Sequence, residues 1–251
     1  MIKAFFPERP NASRPEYMGM SLLIWPGIFL LAIFISRQTD IDWLISSRFF
    51  DVSGDGFLLR DDPIWKGFLH DGLKRVSVIL WLLLLGLAIK AKLQENRARY
   101  EPLVFVLVTS ALAVCLNSLL RSFSLHSCPW SLREFGGQAD YFRLLMTTPA
   151  NPGPGQCLPS GHASVAFMWL PAVYASFRWR PQWSWWIALV VLVFGVICGL
   201  AQIVRGAHFL THILVSAAVC GGVSSVAYYL PDIRRWSINA IGGVQVSEVK
   251  S

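Results

Sequence analysis

Long apolar runs separated by polar segments dominate this chain of 251 residues. Six runs approach the roughly 20 apolar residues that a helix needs to cross a bilayer. They cover residues 18–36, 76–91, 102–120, 160–177, 183–204 and 208–230. The fourth is apolar only from residue 163, so we expect its helix to begin near Pro159. Pro26 and Pro171 should kink the helices that contain them. The pattern predicts an all-α polytopic membrane protein with six transmembrane helices in a bundle.

The composition agrees with this prediction, because 54% of the residues are hydrophobic and only 15% are charged. A soluble domain of this size carries more charge. We find no internal repeat and no second soluble domain, so residues 1–251 are interpreted as one membrane-embedded domain. The net charge of +7 is spread over short clusters between the apolar runs. A nucleic acid partner is therefore not expected, since it would require a basic stripe or arm.

Lys and Arg in the short polar segments predict the orientation of the helices. One side of the predicted bundle collects residues from the chain start, the segments near 90–99 and 178–180, and Arg234 and Arg235. The positive-inside rule makes this side cytoplasmic, together with both termini. The opposite side carries two long polar segments, residues 37–75 and 121–158, and the short link at Arg205. We expect the chemistry of the protein to lie on that outer side.

Three short blocks on the predicted outer side contain the residue types that phosphoryl chemistry requires. They are Arg121 through Cys128-Pro129-Trp130, Pro159-Ser160-Gly161-His162, and Arg205-Gly206-Ala207-His208 with His212 four residues later. A phosphoryl group in its transition state carries negative charge on three oxygens, so its site needs fixed cations and N–H donors. Arg121, Arg205 and the turn at Ser160-Gly161 are the predicted phosphate-binding groups, because Arg binds two oxygens at once and Gly permits close backbone approach. A helix starting after Pro159 would also present free N–H groups.

Histidines in these blocks can divide the work of phosphate transfer. One neutral imidazole can attack phosphorus while a second protonates the leaving oxygen. His208 and His212 are four residues apart and are expected on one face of a helix. A zinc site formed by His162, His208 and His212 is the alternative, but the neighbouring arginines would repel the metal. We therefore expect no metal and no other cofactor.

The three blocks resemble the type 2 phosphatidic acid phosphatase superfamily. Its pattern is Lys, six residues, Arg-Pro, then Pro-Ser-Gly-His, then Ser-Arg, five residues, His, three residues, Asp. Residues 159–162 match the central block fully. The resemblance makes His162 the general acid and His208 the nucleophile that carries a transient phosphohistidine. It implies a lipid phosphatase that needs no metal.

Several positions depart from that pattern. Arg121 replaces the Lys, Cys128 the Arg before Pro129, Gln202 the Arg of the last block, and His212 its Asp. Arg133 is a possible substitute for the cation lost at Cys128. The Asp of the family orients the nucleophilic histidine; His212 can fix its tautomer but cannot stabilise imidazolium. Asp71 and Asp140 are possible sources of the missing carboxylate. A bacterial branch of the superfamily shows the same Cys-Pro-Trp and Arg-Gly-Ala-His-Phe blocks.

Two of the five cysteines, Cys128 and Cys157, lie in the second outer segment. Because that side is oxidising, we predict a disulfide between them. The complete prediction is an enzyme of the bacterial plasma (inner) membrane with its site facing the periplasm, where it hydrolyses a lipid phosphomonoester or lipid pyrophosphate. Undecaprenyl pyrophosphate, phosphatidylglycerophosphate, phosphatidic acid and lipid A are candidate substrates. A lipid phosphotransferase and a non-catalytic lipid-phosphate binder or transporter are the alternatives.

Overall fold

The structure is a computed structural model that describes the backbone of residues 15–53 and 56–242 and the side chains of 20–53, 56–69 and 71–230. The predicted position of the two chain termini therefore lies outside the described residues. Eight α-helices occur in the described ranges: α1 Pro15–Gln38, α2 Ile41–Ser47, α3 Leu73–Leu93, α4 Arg97–Ser122, α5 Gly161–Phe167, α6 Leu170–Trp179, α7 Ser184–Val204 and α8 Leu210–Gly242. A π-helical stretch, Pro63–Gly72, leads directly into α3. The prediction of an all-α fold is confirmed.

Five helical segments of the described ranges are long and apolar enough to cross a membrane. They are Met20–Gln38, Pro63–Leu93, Arg97–Ser122, Pro181–Val204 and Leu210–Leu230. These five segments correspond to five of the six predicted spans, and the first and last of them begin two residues later than predicted. The second and third extend beyond the predicted ends, because polar first turns precede their apolar stretches. The chain is a multi-pass membrane protein.

The predicted fourth span, residues 160–177, is not a single helix. It consists of α5 and α6, which are separated at Met168 and Trp169. Pro171 explains the break, because its ring lacks an N–H and clashes with the carbonyl four residues earlier, at Phe167, where α5 ends. The expected kink at Pro171 is therefore a complete interruption, and Pro171 lies in the first turn of α6. The start of α5 at Gly161 agrees with the predicted start near Pro159.

Helix α8 lies at the centre of the bundle: 61% of its span is buried, against 11% of the span in α1. Helices α1, α4, α5 and α6 all pack against it. Small residues permit these close contacts, as is usual between membrane helices. A Cβ at Gly221 would overlap the Trp25 ring of α1, and a Cβ at Gly195 of α7 would lie 2.5 Å from the Phe167 ring of α5.

The end of α4, the starts of α5 and α8 and the end of α7 lie together at one end of the bundle, which we call the histidine end. The polar connections there form a two-stranded hairpin, β1 Phe50–Asp51 with β2 Gly56–Phe57, and two 3₁₀ turns, Pro129–Ser131 and Arg133–Phe135. Phe57, Phe135 and Phe209 pack in one buried cluster, in which the Phe135 ring is tilted against the other two. This aromatic cluster fixes the connections over the helix ends.

Candidate active site

The segment between α4 and α5 is held by a disulfide and by paired backbone. Cys128 and Cys157 form the predicted disulfide, with their Cα atoms 5.2 Å apart. The backbone N–H of Gln156 donates to Ser124 (2.7 Å), and that of Cys157 donates to His126 (2.9 Å). Since Cys157 is fully buried, its position at the histidine end is fixed from several directions.

Ser160 and Gly161 begin α5 and bring it against α8 and α4. The Ser160 side chain caps the helix by accepting from the N–H of Ala163 at 3.2 Å, and its own N–H donates to the carbonyl of His212 at 3.1 Å. Gly161 lies against the guanidinium of Arg121, because a Cβ at this position would be 2.7 Å from Nη1 of Arg121. The predicted phosphate-binding groups Arg121, Ser160 and Gly161 are thus neighbours. Helix α5 has only seven residues, so its dipole is weaker than that of the longer helix predicted from the sequence.

His208 lies in the turn between α7 and α8, not in the first turn of a helix as predicted. Gly206 turns the chain with φ of +67°, and α8 begins only at Leu210. Asp42 of α2 explains why α8 begins only at Leu210. The buried Asp42 carboxylate accepts from the N–H of Thr211 (3.1 Å) and from the Thr211 hydroxyl (2.5 Å), and so caps the start of α8.

The two histidines remain close in space despite this correction. The ring centroids of His208 and His212 are 5.8 Å apart in an edge-on arrangement, and both rings are almost fully buried. The His212 ring hydrogen bonds to the backbone of Cys157, and its Nδ1 has no partner among the described residues. Nδ1 of His208 lies 3.2 Å from Sγ of Cys157. His162 follows Ser160 and Gly161 in the first turn of α5, so the backbone bond from Ser160 to His212 joins the two histidine segments.

Arg205 is a buried cation three residues before His208. It is only 5% exposed, and its Nε donates to the carbonyl of Arg60 at 2.9 Å. Its Nη1 is buried with no hydrogen-bond acceptor among the described residues. Burial lowers the pKa of Arg205, while the carboxylates of Asp61 and Asp71 act in the opposite direction. A buried guanidinium N–H without an acceptor is costly unless an anionic ligand completes it.

Sequence reasoning gave no binding role to Gln202 and did not consider Asn117. Both side chains are at most 1% exposed. Nε2 of Gln202, one turn before Arg205, has no acceptor among the described residues. Asn117 of α4 donates to the carbonyl of Ser160 at 3.3 Å. The sequence did contain a signal for Gln202. This residue stands where the family pattern has an Arg, and its amide can still offer an N–H donor.

The acidic residues at this end have distinct surroundings. Asp140 pairs with Arg133 at 3.0 Å, so these two predicted additional residues neutralise each other near the surface. Asp71 lies within electrostatic range of Arg205. Asp42 was not selected from the sequence. Burial raises the pKa of Asp42, while the hydrogen bonds from Thr211 lower it. The roles of Asp71 and Asp140 beside His208 stay predictions.

His126 lies beside the candidate site but has a packing role. Its ring stacks on Phe142 with centroids 4.1 Å apart and approaches the His212 ring edge-on at 6.3 Å. Burial lowers the pKa of His126 to about 4. The neutral form of its ring is therefore favoured at physiological pH.

One group of side chains at this end has the dimensions of a metal site. Ligand atoms of Cys128, Cys157 and His208 all lie within 4.8 Å of one another. A thiolate is the form of Cys that binds zinc, and the disulfide leaves neither sulfur in that form. The oxidised protein therefore offers no thiolate ligand at this position.

Comparison with known proteins identifies the family. The sequence profile of the PAP2 superfamily matches residues 102–236, which is more than half of the chain and includes all three blocks. The chain belongs to the PAP2 superfamily. A crystal structure of a transmembrane PAP2-type phosphatidylglycerolphosphate phosphatase from Bacillus subtilis shares the fold, with a TM-score of 0.51 and 18% identity over 87% of this chain and 97% of that chain. No curated protein matches the sequence. Membership of the PAP2 superfamily supports lipid phosphatase activity in general.

Proposed function

We propose that this PAP2 protein hydrolyses a lipid phosphomonoester or lipid pyrophosphate at the outer face of the plasma membrane through a phosphohistidine intermediate. The observation that carries the proposal is the buried Nη1 of Arg205, three residues from His208, for which the described part of the chain supplies no acceptor. Gln202, one turn away, offers a second buried donor that has no acceptor within the described ranges. Together with Arg121 at Gly161, these groups supply the charge and N–H donors that a phosphoryl group requires.

The reaction begins with attack of His208 Nε2 on phosphorus. An N–P bond forms as the P–O bond to the lipid breaks, and His162 gives its proton to the departing oxygen. Water then cleaves the N–P bond and releases inorganic phosphate, with His162 accepting a proton from that water. Arg205 and Arg121 balance the charge on the phosphoryl oxygens during both steps.

The outer face is supported by the distribution of charge at the two ends of the bundle. The end opposite the histidines carries Lys90 and Lys92 at the end of α3, Arg97 and Arg99 at the start of α4, and Arg178 in the last turn of α6. The clustering of basic residues around the short link between α3 and α4 favours the cytoplasm for this end by the positive-inside rule, whereas the longer segments at the histidine end mix Arg and Lys with Asp. The disulfide at the histidine end is also typical of an oxidising compartment. In a bacterial cell these features indicate the periplasmic side of the inner membrane.

The decisive experiment measures phosphate release by the purified protein in detergent micelles. The substrates are phosphatidic acid, phosphatidylglycerophosphate, undecaprenyl pyrophosphate and lipid A. We expect His208→Ala to lose at least about 10³-fold in kcat/KM, because it removes the nucleophile. His162→Ala should lose about 10²- to 10⁴-fold, as expected for a general acid. The wild-type protein should also retain an acid-labile, alkali-stable phosphoryl label that His208→Ala lacks.

His126→Phe is the matched control, since it removes a third imidazole but keeps a ring against Phe142. Its rate should stay within a few-fold of wild type. A wild-type protein that binds these lipids without releasing phosphate would be a binder, and the proposal would be wrong. Full activity of His208→Ala would contradict the mechanism.

A further inference from the structure

The acceptor for Nδ1 of His208 is the unexplained part of this site. A nucleophilic imidazole needs its proton on the nitrogen that does not attack, and a partner for that proton fixes both the tautomer and the ring orientation. In the family pattern this partner is an Asp four residues after the histidine, and this chain has His212 there. The His212 ring instead hydrogen bonds to the backbone of Cys157.

The atom beside Nδ1 of His208 is the sulfur of Cys157, at 3.2 Å. This sulfur belongs to the disulfide with Cys128 and carries no hydrogen. In a hydrogen bond between these atoms the donor must therefore be Nδ1–H, and the sulfur is a weak acceptor. The approach of the same sulfur to the carbonyl of Ala207 at 3.0 Å is a packing contact, because neither atom carries a hydrogen.

The surroundings of Cys157 hold its sulfur in a fixed position beside His208. The residue is fully buried and its N–H donates to the carbonyl of His126, which leaves the sulfur little freedom to move. The contact also selects the tautomer that the proposed mechanism needs. With the proton on Nδ1, the lone pair is on Nε2, the nitrogen that attacks phosphorus.

We propose that the Cys157 sulfur of the Cys128–Cys157 disulfide is the positioning group for His208, in place of the carboxylate found in the family pattern. The inference rests on the proposed function of His208 as the nucleophile. An uncharged sulfur fixes the tautomer and the ring but gives the imidazolium no neutralising charge. The disulfide thus has a role in the chemistry that is distinct from cross-linking the loop.

Two variants that both lack the disulfide separate these roles. Cys128→Ala with Cys157→Ala removes the acceptor, whereas Cys128→Ala with Cys157→Ser replaces it with a hydroxyl oxygen. We expect the Ser variant to keep a kcat about 2- to 10-fold above that of the Ala variant, the size of one hydrogen bond, with KM values within about twofold. The probe is the lipid of the four-member panel that wild type hydrolyses fastest. Cys115→Ser, which removes an exposed free thiol from α4, is the control and should match wild type.

Adding His212→Asp to the double-Ala variant provides a second test, in case the Ser hydroxyl does not reach Nδ1. The carboxylate should restore kcat at least about 10-fold, because a charged acceptor makes a stronger hydrogen bond. Restoration by either the Ser or the Asp change supports the inference. Equal kcat in wild type and the double-Ala variant, or a loss that neither change restores, would overturn it. Failure of the proposed function would be seen separately, as an absence of phosphate release by wild type.

Discussion

The two ends of the bundle differ in how many of their buried polar groups have hydrogen-bond partners within the described residues. At the end away from the histidines, the Tyr174 hydroxyl binds both Trp25 Nε1 (2.8 Å) and Ser21 Oγ (2.9 Å), and Ser225 donates to the carbonyl of Ser21 (3.1 Å). These bonds join α1, α6 and α8. The hydroxyl of Ser184 is the exception at that end, since it is buried without a partner among the described residues.

At the histidine end the buried donors of Arg205 and Gln202 lack acceptors in the described part of the chain. An unmade hydrogen bond of a buried donor costs about 1–3 kcal/mol, so this end is less favourable for folding than it could be. Under the proposed function these two donors bind the phosphoryl anion, whereas the hydroxyls of Tyr174 and Ser225 stabilise helix packing at the other end. Four substitutions test this difference.

Arg205→Met should have the largest effect, because it removes the buried cation that the proposed site provides for the phosphoryl oxygens. We expect kcat/KM for phosphate release to fall by about 10²- to 10³-fold. Arg180→Met, an exposed arginine just after α6 at the opposite end, should leave the rate unchanged. Equal effects of the two substitutions would remove the distinction between the ends.

Gln202→Leu should separate activity from stability. It removes a buried donor that has no acceptor among the residues the structure describes, so the apparent Tm in detergent should rise, reflecting about 1 kcal/mol. Phosphate release should fall about 10-fold, as the loss of one donor to the transition state implies. Ser184→Ala at the opposite end should raise the Tm similarly with no change in rate. A Gln202→Leu protein with a lower Tm and a normal rate would show that its amide is a structural group.

Tyr174→Phe should show the opposite behaviour to Gln202→Leu. It deletes the hydroxyl that binds Trp25 and Ser21, and it leaves the Trp25 N–H without that acceptor. The free energy of unfolding should fall by about 1–2 kcal/mol, while kcat and KM stay at wild-type values. Thermal unfolding in detergent and the phosphate assay measure both quantities. A reduced kcat would mean that packing at this end reaches the active site.

The last prediction concerns the response of the histidine end to acid. The folded protein lowers the pKa of His126 to about 4 by burial, below its value of about 6.5 when unfolded. The unfolded state therefore binds more protons between these values, so stability is lost as the pH falls from about 6.5 to about 4. His126→Phe should flatten the fall of Tm over this window relative to wild type. Parallel curves for the two proteins would show that other groups cause the acid sensitivity.

Hydrophobic patterning predicted the helices well where lipid is the environment. In a bilayer, an α-helix satisfies every backbone hydrogen bond within its own segment. An apolar run of sufficient length therefore predicts a helix without reference to distant residues, as it did for α1, α3, α4, α7 and α8. The pattern failed at residues 160–177, where apolar composition continues but Pro171 divides the helix. The identity of the candidate site residues was also available, because the block at residues 159–162 and His208 are short contiguous motifs.

Only the tertiary structure decided how those motifs are arranged. Asp42 caps α8 from 169 residues away and keeps His208 outside the helix, and no local pattern contains that contact. The sulfur of Cys157 reaches Nδ1 of His208 across 51 residues because a disulfide and paired backbone hold it there. The sequence alone determines which segments are helical and which residue types carry chemistry, since both depend on near neighbours. Which donor faces an acceptor, and which is left for a ligand, depends on packing between distant segments.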